Sequence, residues 1–121
     1  MSLGFVGHCK KKSEDENGVF YAYSGANWNI PRDRNADEAY DGEFFISKSV
    51  LAWERNKTKQ YEHIEWVSKS IKTGNTVIVK PCKNSFKRIG SIDYIAYCCL
   101  LKVFKHIYND GIFPEKECFI Q

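Results

Sequence analysis

The stretch SIDYIAYCCLLKVFKHIYN, residues 91–109, decides the fold of this chain. Its apolar side chains recur at spacings of three and four residues, which is the period of one helical face. This stripe comprises Ile92, Ile95, Ala96, Cys99, Val103 and Ile107, broadened by Leu100 and Phe104. Ser91 is of a type that caps helix N-termini, and Asn109-Asp110-Gly111 suits a helix end. We therefore predict a helix over about 91–109 at the centre of the hydrophobic core.

A second helical pattern lies upstream, over about 58–73. After Thr58, residues at helical spacing are Tyr61, Ile64, Val67, Ser68 and Ile71. Gly74 follows where a helix C-terminus favours a left-handed residue. The β-branched run Thr76-Val77-Ile78-Val79, bounded by Asn75 and Pro81, then predicts a short strand.

Three further strands are predicted in the first half of the chain. Residues 4–10 and 19–23 favour strands, and Asn17-Gly18 is a turn dipeptide between them, so they indicate a hairpin. Residues 43–46 predict a third strand, and Ser47 suits the start of a helical turn over 48–53. The tail, 112–121, is expected to add an edge strand. Between these elements, 24–42 lacks either periodicity and is predicted to be a long loop.

These elements predict an α+β fold. We expect a small antiparallel sheet of about 4–5 strands, packed against two main helices at about 58–73 and 91–109. A length of 121 residues matches one domain, so 1–121 is predicted to be a single globular domain. Strand order is not determined by these patterns.

Charge is unevenly distributed along the chain, although the net charge is only +3. From Lys11 to Glu43, eight acidic residues stand against four basic ones; from Phe44 to Ile107, twelve basic residues stand against four acidic ones. Such polarity affects encounter with charged partners rather than the fold. The sequence leaves open whether the two halves form separate surfaces.

The five cysteines indicate a reducing compartment. An odd number that includes adjacent Cys98 and Cys99 does not suit a disulfide framework, and no Cys-x-x-Cys pair suggests zinc. No apolar run approaches the roughly 20 residues needed to cross a bilayer, and the first residues lack a secretory apolar run. We predict a cytoplasmic protein with no membrane association, no metal and no cofactor, and the oligomeric state remains open.

The long loop and the strand before it contain the residue types that dominate protein interfaces. Tyr, Trp and Arg contribute most of the binding energy at such interfaces. The predicted contact residues are Tyr21, Tyr23, Trp28, Arg32, Arg34 and Tyr40. The structural alternative is that Trp28 and Tyr40 fasten the loop to the core while its charges face water.

A basic segment, 80–91, joins a predicted strand to the start of the long helix. Free amides at a helix start, with nearby cations, can bind phosphate. The candidate anion or nucleic-acid ligands are Lys80, Lys83, Lys87, Arg88 and Ser91. The segment has one glycine and matches neither the P-loop nor the dinucleotide-binding pattern, which favours the alternative of a solvated connecting loop.

No catalytic residue is assigned from the sequence. His8, His63 and His106 are isolated, and the serines lack the Gly-x-Ser-x-Gly elbow. The leading prediction is a small intracellular non-enzymatic binding protein, such as an immunity-like or adaptor-like protein, that contacts another protein through the aromatic and charged loop. The alternative is nucleic-acid or phosphate-ligand binding through 80–91, and a small enzyme without a recognisable motif is third.

Overall fold

A computed structural model describes residues 5–27, 40–56, 58, 61–82, 88–89 and 92–120. Within these residues the strands are β1 (Phe5–Glu14), β2 (Gly18–Asn27), β3 (Gly42–Ser47), β4 (Thr76–Lys80), β5 (Arg88–Ile89), β6 (Ile92–Asp93) and β7 (Lys116–Ile120). The helices are a 3₁₀ helix (Lys48–Ala52), α1 (Glu62–Lys72) and α2 (Tyr94–Asp110). Among these helices none is both long and apolar enough to cross a membrane.

The five longer strands form one sheet in the order β4-β3-β2-β1-β7, and every pair is antiparallel. The predicted hairpin is present as β1 and β2, and the C-terminal edge strand pairs with β1. β5 and β6 form a separate two-stranded ladder. With its two α-helices, the chain has the predicted small α+β fold.

The long helix occupies the place that its apolar stripe predicts. All eight residues of that stripe are buried, and Cys98 is buried as well. Gly111 ends α2 in the left-handed conformation, with φ of 70°. The N-cap is Asp93 rather than Ser91, which lies outside the described residues, and the Asp93 carboxylate accepts a hydrogen bond from Ala96 N at 2.8 Å.

The predicted apolar face of α1 is partly wrong. The fully buried residues are Trp66, Val67 and Ser70, whereas Tyr61 is 62% exposed and Ile64 and Ser68 are also exposed. The reason is Trp66, whose indole packs edge-on against Trp53 at 5.3 Å and against Tyr108 of α2 at 4.9 Å between ring centroids. The helix is oriented about its axis so that this large ring is buried, and Tyr61, directly before the helix, is left in solvent.

Two predicted boundaries also change. The loop expected over 24–42 begins later, because β2 continues to Asn27 and pairs with β1 through Phe5↔Asn27. α1 begins at Glu62, not near Thr58, and follows the turn residue Tyr61. The predicted helical turn after β3 is the 3₁₀ helix, and the Ser47 side chain accepts a hydrogen bond from Ser49 N at its start.

The packing of α1 on α2 gives a pH-dependent term to stability. Burial and the Lys105 cation lower the pKa of His63. The unfolded state therefore binds more protons than the folded state as pH falls below about 6.5, so stability is lost there. We expect the unfolding free energy of the wild type to fall more than that of His63→Gln between about pH 7.5 and about pH 5.5, measured by urea titration. Parallel slopes for the two proteins would contradict this.

Candidate functional site

The two faces of the sheet differ in chemistry. Register and side-chain alternation place Cys9, Tyr21, Tyr23, Phe44 and Ile46 on the inner face, against the helices. The outer face comprises alternate residues that include His8, Lys10, Phe20, Phe45 and Val77. Several of these are exposed or only partly buried, so the outer face is the candidate binding surface.

Tyr21 and Tyr23, predicted as partner contacts, belong to the core. Both are 0% exposed. Tyr21 Oη donates to the Pro114 carbonyl and Tyr23 Oη donates to Asp93 Oδ2, each at 2.7 Å. Burial raises the pKa of both hydroxyls. The two rings therefore fasten β2 to the rest of the fold and present no surface to a partner.

Tyr40 is the predicted contact residue that reaches the outer face. Its φ is 48°, a left-handed conformation that is uncommon for a non-glycine residue. Its ring is half-buried, and the Lys10 ammonium lies 4.1 Å from the ring centroid. Backbone strain of this kind concentrates at functional sites. Trp28, Arg32 and Arg34 lie outside the described residues, so their part in binding stays a prediction.

An apolar strip, defined as Phe20, Phe45, Val77 and Val79, crosses the outer face from β2 to β4. Phe20 is paired with Phe45 and Phe45 with Val77 in the strand register. The two phenyl rings lie 4.8 Å apart between centroids and are partly buried. Val77 is 47% exposed and Val79 is 52% exposed. This strip offers apolar contact area to solvent at an edge of the sheet.

At the other side of the outer face lies a hollow of about 250 Å³, lined by His8, Cys9, Tyr40, Lys116, Glu117 and Cys118. We call it the basic hollow, because Lys116 lines it and the Lys10 ammonium lies against the ring of Tyr40, one of its walls. His8 is directly opposite Cys118, and Lys10 is directly opposite Lys116. The Glu117 carboxylate bonds to His106 Nε2 of α2. Because α2 covers the inner face, this carboxylate is held away from the outer side of β7.

The predicted anion site of segment 80–91 is only partly described. Lys80 is exposed on β4 opposite Glu43. In the backbone register of the β5–β6 ladder, Arg88 is opposite Asp93. Lys83, Lys87 and Ser91 lie outside the described residues. The start of α2 already has a carboxylate cap from Asp93, which is 2% exposed. The Asp93 side chain thus already accepts a hydrogen bond from Ala96 N in the first turn of α2, and anion binding through 80–91 stays a prediction.

The cysteines do not form a reactive cluster. None of the five forms a disulfide: Cys9, Cys82, Cys98 and Cys99 are buried, and Cys118 is exposed. Burial and contact with Cys9 raise the pKa of the Cys99 thiol, which keeps it protonated and unreactive. Among the described residues, no group of three or more His, Cys, Asp or Glu could hold a metal ion.

A larger, open depression of about 490 Å³ runs along α1, lined by Ile64, Glu65, Ser68, Lys69, Lys72 and Thr73. All these residues come from one side of one helix and the turn after it. The Lys69 ammonium lies 4.3 Å from the Trp53 ring centroid. We therefore interpret this depression as part of the solvent-exposed surface of α1 and not as a binding site.

Comparison of the chain with protein-family models, curated proteins and solved structures gives no match. The function is therefore inferred from the geometry of the outer face. Sequence reasoning missed most residues of this face. Alternation of His8, Lys10 and Lys12 was visible in the sequence, but their juxtaposition with Lys116 and Cys118 depends on the pairing of β1 with β7.

Proposed function

We propose that this protein is a small non-enzymatic binding protein that contacts another protein through the outer face of its sheet. The observation that carries the proposal is the apolar strip, in which two valines about half exposed extend a partly buried pair of phenyl rings. Exposed apolar area of this kind, bordered by polar residues, is typical of protein interaction sites. We thus add a second candidate contact surface, the apolar strip on β2, β3 and β4, to the predicted loop Ser24–Gly42.

Charge indicates the chemistry of the partner. Lys10 and Lys116 lie exposed on the same face as the strip, and Lys80 is exposed opposite Glu43, where the β3–β4 ladder has a register shift. Glu43, also on this face, is paired with Lys12. A partner with an apolar centre and acidic residues around it would complement this arrangement, and charge complementarity of this kind raises association rates and specificity.

A protein fits the strip better than a nucleic acid. Single-stranded nucleic acids bind through aromatic rings whose flat faces are open to base stacking. Here the phenyl rings pack on each other, and the most exposed members are valines, which have no stacking face. Immunity-like or adaptor-like action in the cytoplasm is consistent with five cysteines that form no disulfide. Binding through 80–91 and a small enzyme remain the competing functions.

The test is affinity enrichment from the host cells with matched variants. In Val77→Thr/Val79→Thr both side chains keep their β-branched shape and lose a methyl group for a hydroxyl. We expect one or more co-purified proteins to fall about tenfold in this variant, because a buried apolar contact is replaced by a polar one. The control, Ile112→Thr, changes an exposed isoleucine outside the sheet and should leave enrichment unchanged.

The affinity of each co-purified protein for the wild type and the variants is then measured with purified components. A partner whose affinity falls in the strip variant and not in Ile112→Thr supports the proposal. If no protein depends on the strip, the proposal is wrong. Co-purified RNA that is lost when Lys80, Lys83 and Lys87 are neutralised would favour the nucleic-acid function instead.

A further inference from the structure

We propose that the basic hollow binds a single oxyanion of the phosphate class between Lys10 and Lys116. This inference does not rest on the proposed function, because it concerns a different part of the outer face from the apolar strip. The ligand can be free phosphate or the phosphate group of a modified side chain, since both present the same oxygens.

Lys10 and Lys116 form a like-charge pair on neighbouring strands. Lys10 and Lys116 are direct cross-strand partners, and like charges in this position destabilise a sheet. Other lysines near the ends of these strands have acidic partners: Lys11 binds Glu14 and Glu115, and Lys12 binds Glu43. Among the described residues, no carboxylate is paired with Lys10 or Lys116. An anion between the two ammonium groups would turn their repulsion into attraction.

The groups around this pair are the second feature that favours an anion. Tyr40, in its left-handed conformation, places its ring beside the Lys10 ammonium and at the wall of the hollow. His8 lines the same hollow from the strand that carries Lys10. Glu117, the one carboxylate among the lining residues, is bound by His106 on the side of α2. The lining thus contains Lys116, polar groups and a carboxylate that already has a partner.

Size restricts the ligand. Pockets for drug-sized molecules have volumes of about 300 to 1,000 Å³, and the hollow, at about 250 Å³, is smaller. One phosphate group fits such a space. Cross-strand neighbours have Cβ atoms about 5 Å apart, so two flexible lysine side chains can both reach the same oxyanion.

The test is a titration with inorganic phosphate at low ionic strength, followed by the backbone amide signals of the protein in NMR spectra. We expect saturable shifts concentrated at residues 8–10 and 116–118. Sodium chloride at matched ionic strength is the reference, because simple screening gives no saturation at one site. Shifts that follow ionic strength alone, or that spread over all exposed lysines, would overturn the proposal.

Variants make the test specific. Lys10→Ala and Lys116→Ala should each weaken phosphate binding about tenfold, because each removes one charge-assisted hydrogen bond. Lys102→Ala removes an exposed lysine of α2 and should bind like the wild type. Equal affinities for Lys102→Ala and Lys116→Ala would contradict the assignment.

A charge reversal separates lost binding from lost folding. In Lys116→Glu an opposite-charge pair replaces the like-charge pair, so the urea midpoint should rise while phosphate binding is lost. A variant that is less stable or that still binds phosphate would contradict the proposal. Cys118 provides a second readout, since it is the exposed cysteine: bound phosphate should slow its alkylation by iodoacetamide in the wild type and not in Lys116→Glu.

The source of the oxyanion is distinguished with a second ligand. A short peptide with one phosphoserine is titrated beside inorganic phosphate. Tighter binding of the peptide indicates a phosphorylated protein side chain, and equal or weaker binding indicates free phosphate. Binding of neither ligand would overturn the proposal.

Discussion

Replacing Trp66 by alanine is expected to lower the free energy of unfolding by about 3–5 kcal/mol, the range for truncating large buried aromatic side chains. Trp66 is 4% exposed and joins three elements, because its ring meets Trp53 after the 3₁₀ helix and Tyr108 of α2. Alanine would leave a cavity at this junction and remove two edge-on aromatic contacts. The measurement is urea unfolding followed by circular dichroism, which does not depend on the lost tryptophan.

The matched control is Tyr61→Ala. Tyr61 is a large aromatic residue directly before α1, but it is 62% exposed. Its removal should change the unfolding free energy by about 0.5 kcal/mol or less, as is usual for surface substitutions. If Tyr61→Ala were as destabilising as Trp66→Ala, the orientation of α1 described above would be wrong.

The second large effect is expected for Asp93→Ala, with a loss of about 2–4 kcal/mol. Loss of a helix N-cap costs about 1 kcal/mol, and a buried hydroxyl without an acceptor costs about 1–3 kcal/mol more. Asp93 has both roles: Oδ1 accepts from Ala96 N, and Oδ2 accepts from Tyr23 Oη. Asp93→Asn keeps the capping oxygen and should retain most of the stability.

Two further variants separate the roles of Asp93. Tyr23→Phe removes the hydroxyl, which also accepts from Cys82 N at 3.3 Å. In the double variant Asp93→Ala/Tyr23→Phe the loss should be smaller than the sum of the single losses, because the two groups interact directly. Asp110→Ala, at the exposed C-terminal end of α2, is the control and should be near neutral. Additive losses for Asp93 and Tyr23 would show that their hydrogen bond contributes nothing.

Patterns of period two and 3.6 predicted most of the fold. The predicted stripe is buried as expected, and seven of its eight residues lie on α2, where their consistent spacing defines one helical face; the eighth, Ile92, belongs to β6, because α2 begins at Tyr94. The orientation of α1 was not predicted, because Trp66 lies outside the stripe Tyr61, Ile64, Val67, Ser68 and Ile71. The burial of this one bulky ring determined the orientation of α1 more than several smaller side chains did. Its partners, Trp53 and Tyr108, lie on other elements, so the pattern within α1 does not indicate them.

The candidate site was less predictable than the fold. Residue type alone assigned Tyr21 and Tyr23 to a binding surface, but their hydroxyls have acceptors at Pro114 and Asp93, more than 60 residues away. Tyr40 reaches the outer face, where its ring contacts Lys10. The sequence does not indicate that Lys10 and Lys116 are neighbours, because they lie on strands far apart in the chain and no local pattern connects them.

By itself, the sequence determined the fold class, the hairpin, the two helices, the edge strand and the helix ends at Gly74 and Gly111, because propensity and hydrophobic period act over a few neighbouring residues. Only the tertiary structure decided which face of α1 is buried and which tyrosines are core. The pairing of β1 with β7, which creates the basic hollow, also depends on it. These features follow from contacts between residues far apart in the chain, which local patterns do not specify.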